Sequence, residues 1–340
     1  MSKLLHGRDY YKPLLYPWAF EYFQMSEKMH WLASEVPLAK DVRDWNTRTS
    51  PEEQNLITHL FRFFTQGDID VASGYTDKFM PLFRHPELRM MMSSFAGREA
   101  VHVEAYSLLL DTIGMPETMY QAFAEYEAMA DKHDYAKRFV PRNEDGEFDY
   151  ETLAKTLAVY SAFTEGMQLF SSFAILLNFS RTDEAIPADK RGRFAGMGQI
   201  ITWSIRDESL HVEGMIKVFR TLIEENPHLW NDDFKASLYQ IARDMVALED
   251  KFIDLCFEMG GIPGLTADEV KLYIRYIADR RLMQLGLKAN WGINKHPLPW
   301  LDHMLNGVEH TNFFEQRGTE YAKAAMTGSW AEVWGYAKAA

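Results

Sequence analysis

The stretch Gly97–Gly114, GREAVHVEAYSLLLDTIG, combines a helical pattern of apolar residues with ionisable groups. Glu99 and His102 are three residues apart, which places them side by side on one helix face. Tyr106 follows one turn later on that face, whereas Glu104 points away from it. Because the surrounding residues are apolar, we expect this face to be buried, where ionisable groups need a partner or a metal.

The same spacing recurs in SIRDESLHVEGM, where Glu208 and His211 are three residues apart. Two Glu-x-x-His pairs on separate long helices, with one carboxylate from each of two further helices, are typical of a dinuclear metal site in a helical bundle. Glu165 lies in an otherwise uncharged stretch and supplies one carboxylate. Asp68 or Asp70 supplies the other, but not both, because two residues along a helix differ by about 200°.

The ligand types indicate which metals the site would hold. Carboxylate oxygens and imidazole nitrogens suit iron or manganese in an open, redox-active site. No thiolate lies among the candidate residues, and its absence disfavours a structural zinc site. The sequence therefore predicts a pair of redox-active metal ions inside a helical bundle.

Helical periodicity runs through most of the chain, and strand signals are poor. Ser50, Pro51 and Glu53 form a helix start with a capping box, and Thr266 and Glu269 repeat the device. The fold class is therefore predicted to be all-α, as one large antiparallel bundle. The predicted helices cover residues 18–34, 50–80, 86–114, 117–132, 150–178, 191–224, 232–259, 266–287 and 308–325.

The composition excludes several classes of protein. The 340 residues carry a formal net charge of −13, whereas nucleic-acid binding needs clustered Lys and Arg. Cys256 is the only cysteine, which is typical of a reducing compartment. The first residues lack the apolar core of a signal peptide, and no run reaches the ~18 apolar residues of a membrane span. We expect a soluble, cytoplasmic protein that binds neither nucleic acid nor membranes.

The order of the motifs resembles the small, radical-generating subunit of class I ribonucleotide reductase. Asp68 is followed by REAVHVEAY, then Glu165, then RDESLH, and the resemblance extends over about residues 16–334. It implies a ferritin-like fold, a homodimer, a large partner subunit, and a dimetal centre that reacts with dioxygen. The 31-residue step from Asp68 to Glu99 favours Asp68 over Asp70.

The resemblance also implies how the metals are held. Glu99 and Glu208 would bridge the two ions. The full ligand set would be Asp68, Glu99 and His102 for one ion, and Glu165, Glu208 and His211 for the other. Two iron ions are expected, with dimanganese and manganese–iron as the alternatives. The presence of Tyr106 makes the first two more natural than a manganese–iron centre that replaces the tyrosine.

By the same resemblance, Tyr106 would carry a stable radical. The hole would pass through His102, Asp207 and Trp31 to a tail aromatic, Tyr336, and on to the large subunit. Ordinary core packing is the alternative for Tyr106 and Trp31. Because this chain has one cysteine and no nucleotide-binding glycine motif, ribonucleotide reduction would occur on the large subunit.

Three further residues match positions around the radical: Leu169, Phe173 and Ser204. Ser204 departs from the aliphatic residue that the resemblance leads us to expect. The predicted domain organisation is a single helical domain over residues 1–325 and a docking tail over residues 326–340.

Two other functions use the same scaffold. One is a ligand-binding dimetal oxidase that acts on a long-chain substrate, but such an enzyme would lack the Trp31–Asp207 relay and a docking tail. The other is a non-enzymatic, ferritin-like iron store, for which 340 residues per chain is long. The sequence favours the radical-generating subunit over both.

Overall fold

The computed structural model describes residues 3–116, 126–142, 147–258 and 262–305. Regular structure in these ranges is helical apart from two isolated β-bridges, so the predicted all-α fold class is confirmed. The α-helices are α1 Pro17–Lys28, α2 Ala39–Thr47, α3 Pro51–Ser73, α4 Pro86–Thr112, α5 Glu127–Lys137, α6 Tyr150–Leu157, α7 Leu169–Asn178, α8 Ala195–Glu225, α9 Asp232–Phe257 and α10 Ala267–Leu285. Two π-helical segments are π1 Gly74–Phe79, which follows α3, and π2 Ala158–Gln168, which joins α6 to α7.

The helix starts agree with the capping signals of the sequence. At the start of α3, Ser50 Oγ accepts from the Glu53 amide at 3.3 Å and the Glu53 carboxylate accepts from the Ser50 amide at 3.0 Å. Thr266 and Glu269 make the same reciprocal pair at the start of α10. Gly114 follows the end of α4 with a φ of 85°, a conformation that glycine adopts without strain.

The continuous helix predicted over residues 150–178 is wrong in detail, because its middle third is π2. A π turn widens the backbone by one residue without changing the apolar character of the sequence, so periodicity does not reveal it. Gly74 begins π1 where an added Cβ would lie 3.0 Å from the Tyr160 ring of π2. Glycine at this position therefore lets the two π segments approach each other closely.

Three other predicted helices differ at their ends. The helix predicted over residues 18–34 ends at Lys28. The helix predicted from residue 191 starts at Ala195, because Phe194 has a φ of 51° and interrupts the helical backbone. Of the helix predicted over 117–132, residues 117–125 lie outside the described residues and α5 begins at Glu127. The helix predicted over 308–325 also lies outside them.

The elements that carry the predicted ligands pack around a common core. α4 packs against α1, α3 and α8, and α8 packs against π2 and α7. α10 packs against α9 and π2 and so covers the other side of π2. The core is rich in aromatic side chains, among them Phe61, Phe64, Phe95, Phe163 and Phe173, each almost completely buried.

The chain divides into two compact units, and the first, Met1–Pro297, contains all the helices named above. Of the second unit the structure describes residues 298–305. The domain boundary at residue 325 and the tail over 326–340 therefore stay predictions. Among the described residues, no helix is both long and apolar enough to cross a membrane. Cys256 of α9 is buried, and burial raises the pKa of its thiol.

A buried ion pair ties the start of α3 to the segment before α8. The two terminal guanidinium nitrogens of Arg193 donate to the Glu53 carboxylate at 2.9 Å, and Lys190 Nζ lies 3.0 Å from Oε1 of the same group. Burial alone would raise the pKa of Glu53, but Arg193, the Ser50 amide and Lys190 lower it to about 2. The pair therefore stabilises the fold above pH 4.5, and this contribution is lost as the pH falls towards 2.

We expect Glu53→Gln to lower the free energy of unfolding at pH 7 by about 3 kcal/mol, because Arg193 stays buried without its carboxylate. The glutamine keeps the capping hydrogen bonds, so the decrease in the free energy of unfolding measures the contribution of the charge. Urea denaturation measures the effect, with the exposed neighbour Glu52→Gln as the control. The difference from wild type should shrink as the pH falls from 4.5 towards 2, and equal stability of the two variants at pH 7 would contradict the prediction.

Candidate metal centre

The structure brings all six predicted ligands together in the interior. Their candidate ligand atoms form two groups, in each of which the atoms lie within 4.8 Å of one another. The first group is Asp68 of α3 with Glu99 and His102 of α4, and the second is Glu99 with Glu165 of π2 and Glu208 and His211 of α8. Each of the six side chains is at most 1% exposed.

Glu99 and Glu208 each reach towards both imidazoles. Glu99 Oε1 lies 2.8 Å from His211 Nδ1, and its Oε2 lies 3.5 Å from His102 Nδ1. Glu208 mirrors this, with Oε1 3.1 Å from His102 Nδ1 and Oε2 3.5 Å from His211 Nδ1. A carboxylate that presents one oxygen to each half of a site has the geometry of a bridging ligand. Asp68 and Glu165 stand at opposite ends, each near one imidazole.

The structure distinguishes between the two candidate aspartates of α3. Asp68 is buried in the cluster, 3.9 Å from His102 Nδ1. Asp70 points to another side of α3, where it pairs with His133 of α5 and accepts from Gln66. The structure therefore places Asp68, and not Asp70, at the centre.

Unpaired polar atoms show that this donor set fits metal ions. Apart from their close contacts with one another, both carboxylate oxygens of Asp68, Glu99 and Glu208 and the Nδ1 atoms of both imidazoles are buried without a hydrogen-bond partner. Buried polar atoms are almost always paired, so such a concentration calls for an explanation. Cations coordinated by these oxygen and nitrogen atoms would satisfy them together.

The titration behaviour of the carboxyl groups points the same way. Burial, together with repulsion from Glu99, raises the pKa of Asp68 well above its usual range. Burial and repulsion from Glu208 have the same effect on Glu165. Without a cation the protonated forms of these two groups are favoured, because so many negative charges repel one another in a dry interior.

The pKa of the imidazoles rises as well, but for an imidazole this favours the charged form. Burial would lower the pKa of His211, but its contacts with Glu208 and Glu99 raise it to about 10. Burial opposes the ionised form of Glu99, yet the contacts with His102 and His211 lower its pKa to about 2, so this carboxylate is ionised at neutral pH. Positive charge on the imidazoles therefore compensates part of the negative charge of the carboxylates.

His102 is held by a second carboxylate outside the cluster. Its Nε2 lies 3.2 Å from Asp207 Oδ2, and the same oxygen accepts from Trp31 Nε1 at 2.7 Å. Because an indole nitrogen only donates, Asp207 is the acceptor of both bonds. Hydrogen bonding at Nε2 leaves the lone pair of Nδ1 directed at the cluster, which is the orientation a ligand needs.

The two imidazoles are not equivalent. His211 packs against the Phe95 ring, with 4.4 Å between ring centroids, and its Nε2 finds no hydrogen-bond partner among the described residues. His102 instead stacks on Trp31, with 5.8 Å between centroids. Of the two imidazoles, His102 alone is linked to an aromatic side chain through a shared carboxylate among the described residues.

Trp31 and Tyr106 both lie close to the His102 ring. Trp31 is buried between α1 and a 3₁₀ turn at Ala33–Glu35, so it is not on a helix. The Tyr106 ring lies 6.4 Å from the His102 ring and packs against Phe61 and Phe64. Burial, with repulsion from Asp68, raises the pKa of the Tyr106 phenol well above its usual range. The phenol is therefore neutral at neutral pH.

The residues predicted to surround Tyr106 differ in how closely they contact it. Tyr106 donates a hydrogen bond to Ser204 Oγ at 3.0 Å. Phe173 stacks on Phe64, 5.0 Å between centroids, and so lies one ring further out. Tyr336 lies outside the described residues, and Glu104 is exposed on the far side of α4.

Tyr75 is a buried residue at the cluster that the sequence reasoning missed. Its hydroxyl donates to Glu165 Oε1 at 2.7 Å, and its ring lies 6.2 Å from the His211 ring. Tyr75 stands seven residues after Asp68, a spacing of two helical turns. This spacing predicts that the two residues share a helix face. A hydrogen bond of this kind orients a ligand carboxylate.

The fold and the cluster define the class of this protein: a ferritin-like helical protein whose core could hold two metal ions through carboxylates and imidazoles. The family model described as "Ribonucleotide reductase, small chain" matches residues 8–297. The chain therefore belongs to the ribonucleotide reductase small-chain family, and its enzyme class is ribonucleoside-diphosphate reductase.

Individual relatives agree with this assignment. The chain is 44% identical over 363 residues to the probable ribonucleoside-diphosphate reductase small subunit 376L of invertebrate iridescent virus 6, covering 97% of this chain and 98% of the viral one. It is 28% identical over 323 residues to the ribonucleoside-diphosphate reductase subunit beta of Chlamydia pneumoniae, covering 92% and 89% of the two chains. These relatives favour the reductase subunit over a ligand-binding oxidase or an iron store.

Solved structures share the fold. A putative class I ribonucleotide reductase from Bacillus halodurans superimposes with a TM-score of 0.75 at 20% identity, covering 84% of this chain and 99% of that one. The dimanganese(II)-NrdF of Streptococcus sanguinis gives a TM-score of 0.70 at 20% identity, covering 83% and 95%. The predicted ferritin-like architecture is thus confirmed.

Glu99→Gln should weaken binding of Mn(II) at least about tenfold, because it removes a charge that faces both halves of the cluster. Isothermal titration calorimetry of the metal-free protein measures the affinity and the number of ions bound. Glu104→Gln, on the exposed side of α4, is the matched control and should bind like wild type. Equal affinity of the two variants would contradict a metal site at the cluster.

Proposed function

We propose that the six-residue cluster holds two metal ions and that Tyr106 is the residue oxidised to a radical. When bound, the ions would supply the one-electron oxidation of a phenol through reaction with dioxygen. Two iron ions are our first choice. Two manganese ions are the alternative, since a protein of the same fold, that of Streptococcus sanguinis, is a dimanganese(II) protein. Anomalous diffraction at the iron and manganese edges distinguishes them.

The surroundings of Tyr106 support its role. The side chain is 1% exposed and is packed against Phe61 and Phe64. A tyrosyl radical persists only where water and reductants are excluded, and this pocket excludes both. Tyr106 also shares the helix face of His102, so its phenol lies beside the cluster.

A relay through one carboxylate oxygen is the observation that carries the proposal. Asp207 Oδ2 accepts from both His102 Nε2 and Trp31 Nε1, which links the cluster to the indole by two hydrogen bonds. Trp31 would pass the hole outward, while Asp207 holds the indole proton in place. A merely structural tryptophan in this core would not need a buried carboxylate shared with a ligand histidine.

The partners of the proposed function are a large subunit and a second copy of this chain. The large subunit would carry out ribonucleotide reduction, since Cys256 is the only thiol here and is buried. Tyr336 in the tail over residues 326–340 would continue the relay to that subunit. We also propose a cytoplasmic location, which the single reduced cysteine supports.

Tyr106→Phe is expected to abolish the tyrosyl radical, because phenylalanine has no oxidisable phenol. The measurement is electron paramagnetic resonance of the purified protein after loading with Fe(II) and exposure to dioxygen. Tyr75→Phe, which removes the other buried phenol at the cluster, should keep the signal. A radical that persists in Tyr106→Phe places the oxidised residue elsewhere.

Trp31→Phe should leave the radical yield unchanged and lower turnover with the large subunit more than about 100-fold, as for an obligatory group. Deoxyribonucleotide formation and radical content are measured on the same preparation. Trp203→Phe is the matched control, because its ring lies 5.2 Å from the Trp31 ring and carries no bond to Asp207 among those described. Comparable turnover in both variants would remove Trp31 from the relay.

A further inference from the structure

Ser204 introduces one hydroxyl group into the otherwise aromatic pocket of Tyr106. Its side chain is completely buried, and the Tyr106 hydroxyl donates to its Oγ at 3.0 Å. Among the described residues, the hydrogen-bond partner of the Ser204 hydroxyl is Tyr106. The remaining ring neighbours on α3, Phe61 and Phe64, offer no polar atom.

The position of Ser204 in the sequence explains its contact with Tyr106. On α8 it stands three residues before Asp207 and four before Glu208, so it shares their helix face. On α4, Tyr106 stands four residues after His102. The same packing of α4 against α8 that assembles the cluster therefore also brings the serine to the phenol.

A serine hydroxyl has one donor and two acceptor positions and can rotate about its Cβ–Oγ bond. In the resting state the phenol donates and Ser204 accepts. After oxidation the phenoxyl oxygen has lost its hydrogen and can only accept. Ser204 can then turn its own hydrogen to that oxygen, whereas an aliphatic residue at this position could not.

We propose that Ser204 is a positioning residue that accepts a hydrogen bond from the Tyr106 phenol and donates one to the Tyr106 radical. In the oxidation, Tyr106 would give one electron to the metal ions that the cluster would hold and dioxygen would oxidise, and one proton to a carboxylate of the cluster, because an alcohol is too weak a base to keep that proton. The proposal rests on the function proposed above for Tyr106.

The cost of burying a hydroxyl group favours a hydrogen-bonding role for Ser204 over simple packing. A buried hydroxyl without a partner is destabilising, and an aliphatic side chain would fill the same space without that cost. A serine in this pocket is therefore stabilised by the phenol that it faces. One neutral hydrogen bond to the radical should lengthen its lifetime roughly three- to tenfold.

Electron paramagnetic resonance of the radical tests the proposal. Ser204→Ala should shift the largest principal g value upwards, remove the coupling to an exchangeable deuteron in D₂O, and shorten the lifetime roughly three- to tenfold. Ser204→Thr keeps a hydroxyl and should retain the deuteron coupling. Ser172→Ala, at another fully buried serine, is the control and should resemble wild type. An unchanged g value and deuteron coupling in Ser204→Ala would overturn the proposal.

A measurement on the metal-free protein separates this proposal from the proposed function. The infrared C–O stretching band of the Tyr106 phenol is isolated as the wild-type minus Tyr106→Phe difference spectrum. Ser204→Ala should shift this band, and Ser172→Ala should not. If the band shifts but no radical forms in the wild type, the radical function of Tyr106 fails. If the radical forms but neither spectrum responds to Ser204→Ala, only the role of Ser204 fails.

Discussion

The repulsion among four buried carboxyl groups is the constraint on which the rest of the structure depends. Asp68, Glu99, Glu165 and Glu208 meet in an interior that water does not enter, and such an arrangement is stable only when positive charge compensates it. Four helical segments must hold these groups at fixed separations. The tight aromatic packing around them supplies that rigidity and also the dry pocket beside the site.

Much of this could be predicted from the sequence, because the α-helical period is easily recognised in it. Glu99 with His102, and Glu208 with His211, share a face by spacing alone, and the structure brings both pairs into one cluster. The choice of Asp68 over Asp70 needed more than spacing within one helix. It depended on the distance to Glu99, and so on resemblance to a family.

Other features could not be predicted because they arise from tertiary packing. The π turns around Glu165 leave no mark on the apolar pattern, and Tyr75 reaches Glu165 only because π1 and π2 are close together. The hydrogen bond from Tyr106 to Ser204 likewise depends on how α4 meets α8. The two phenols thus differ in their acceptors: one faces a carboxylate and the other a neutral hydroxyl.

The burial of Cys256 has a practical consequence for spectroscopy. Its side chain is 2% exposed, and burial raises the pKa of its thiol, so little reactive thiolate exists at neutral pH. A cysteine placed on the surface will therefore react selectively with a nitroxide or fluorescent reagent, without first replacing the native one. Distances from such a label to a paramagnetic centre can then be measured in the otherwise unaltered chain.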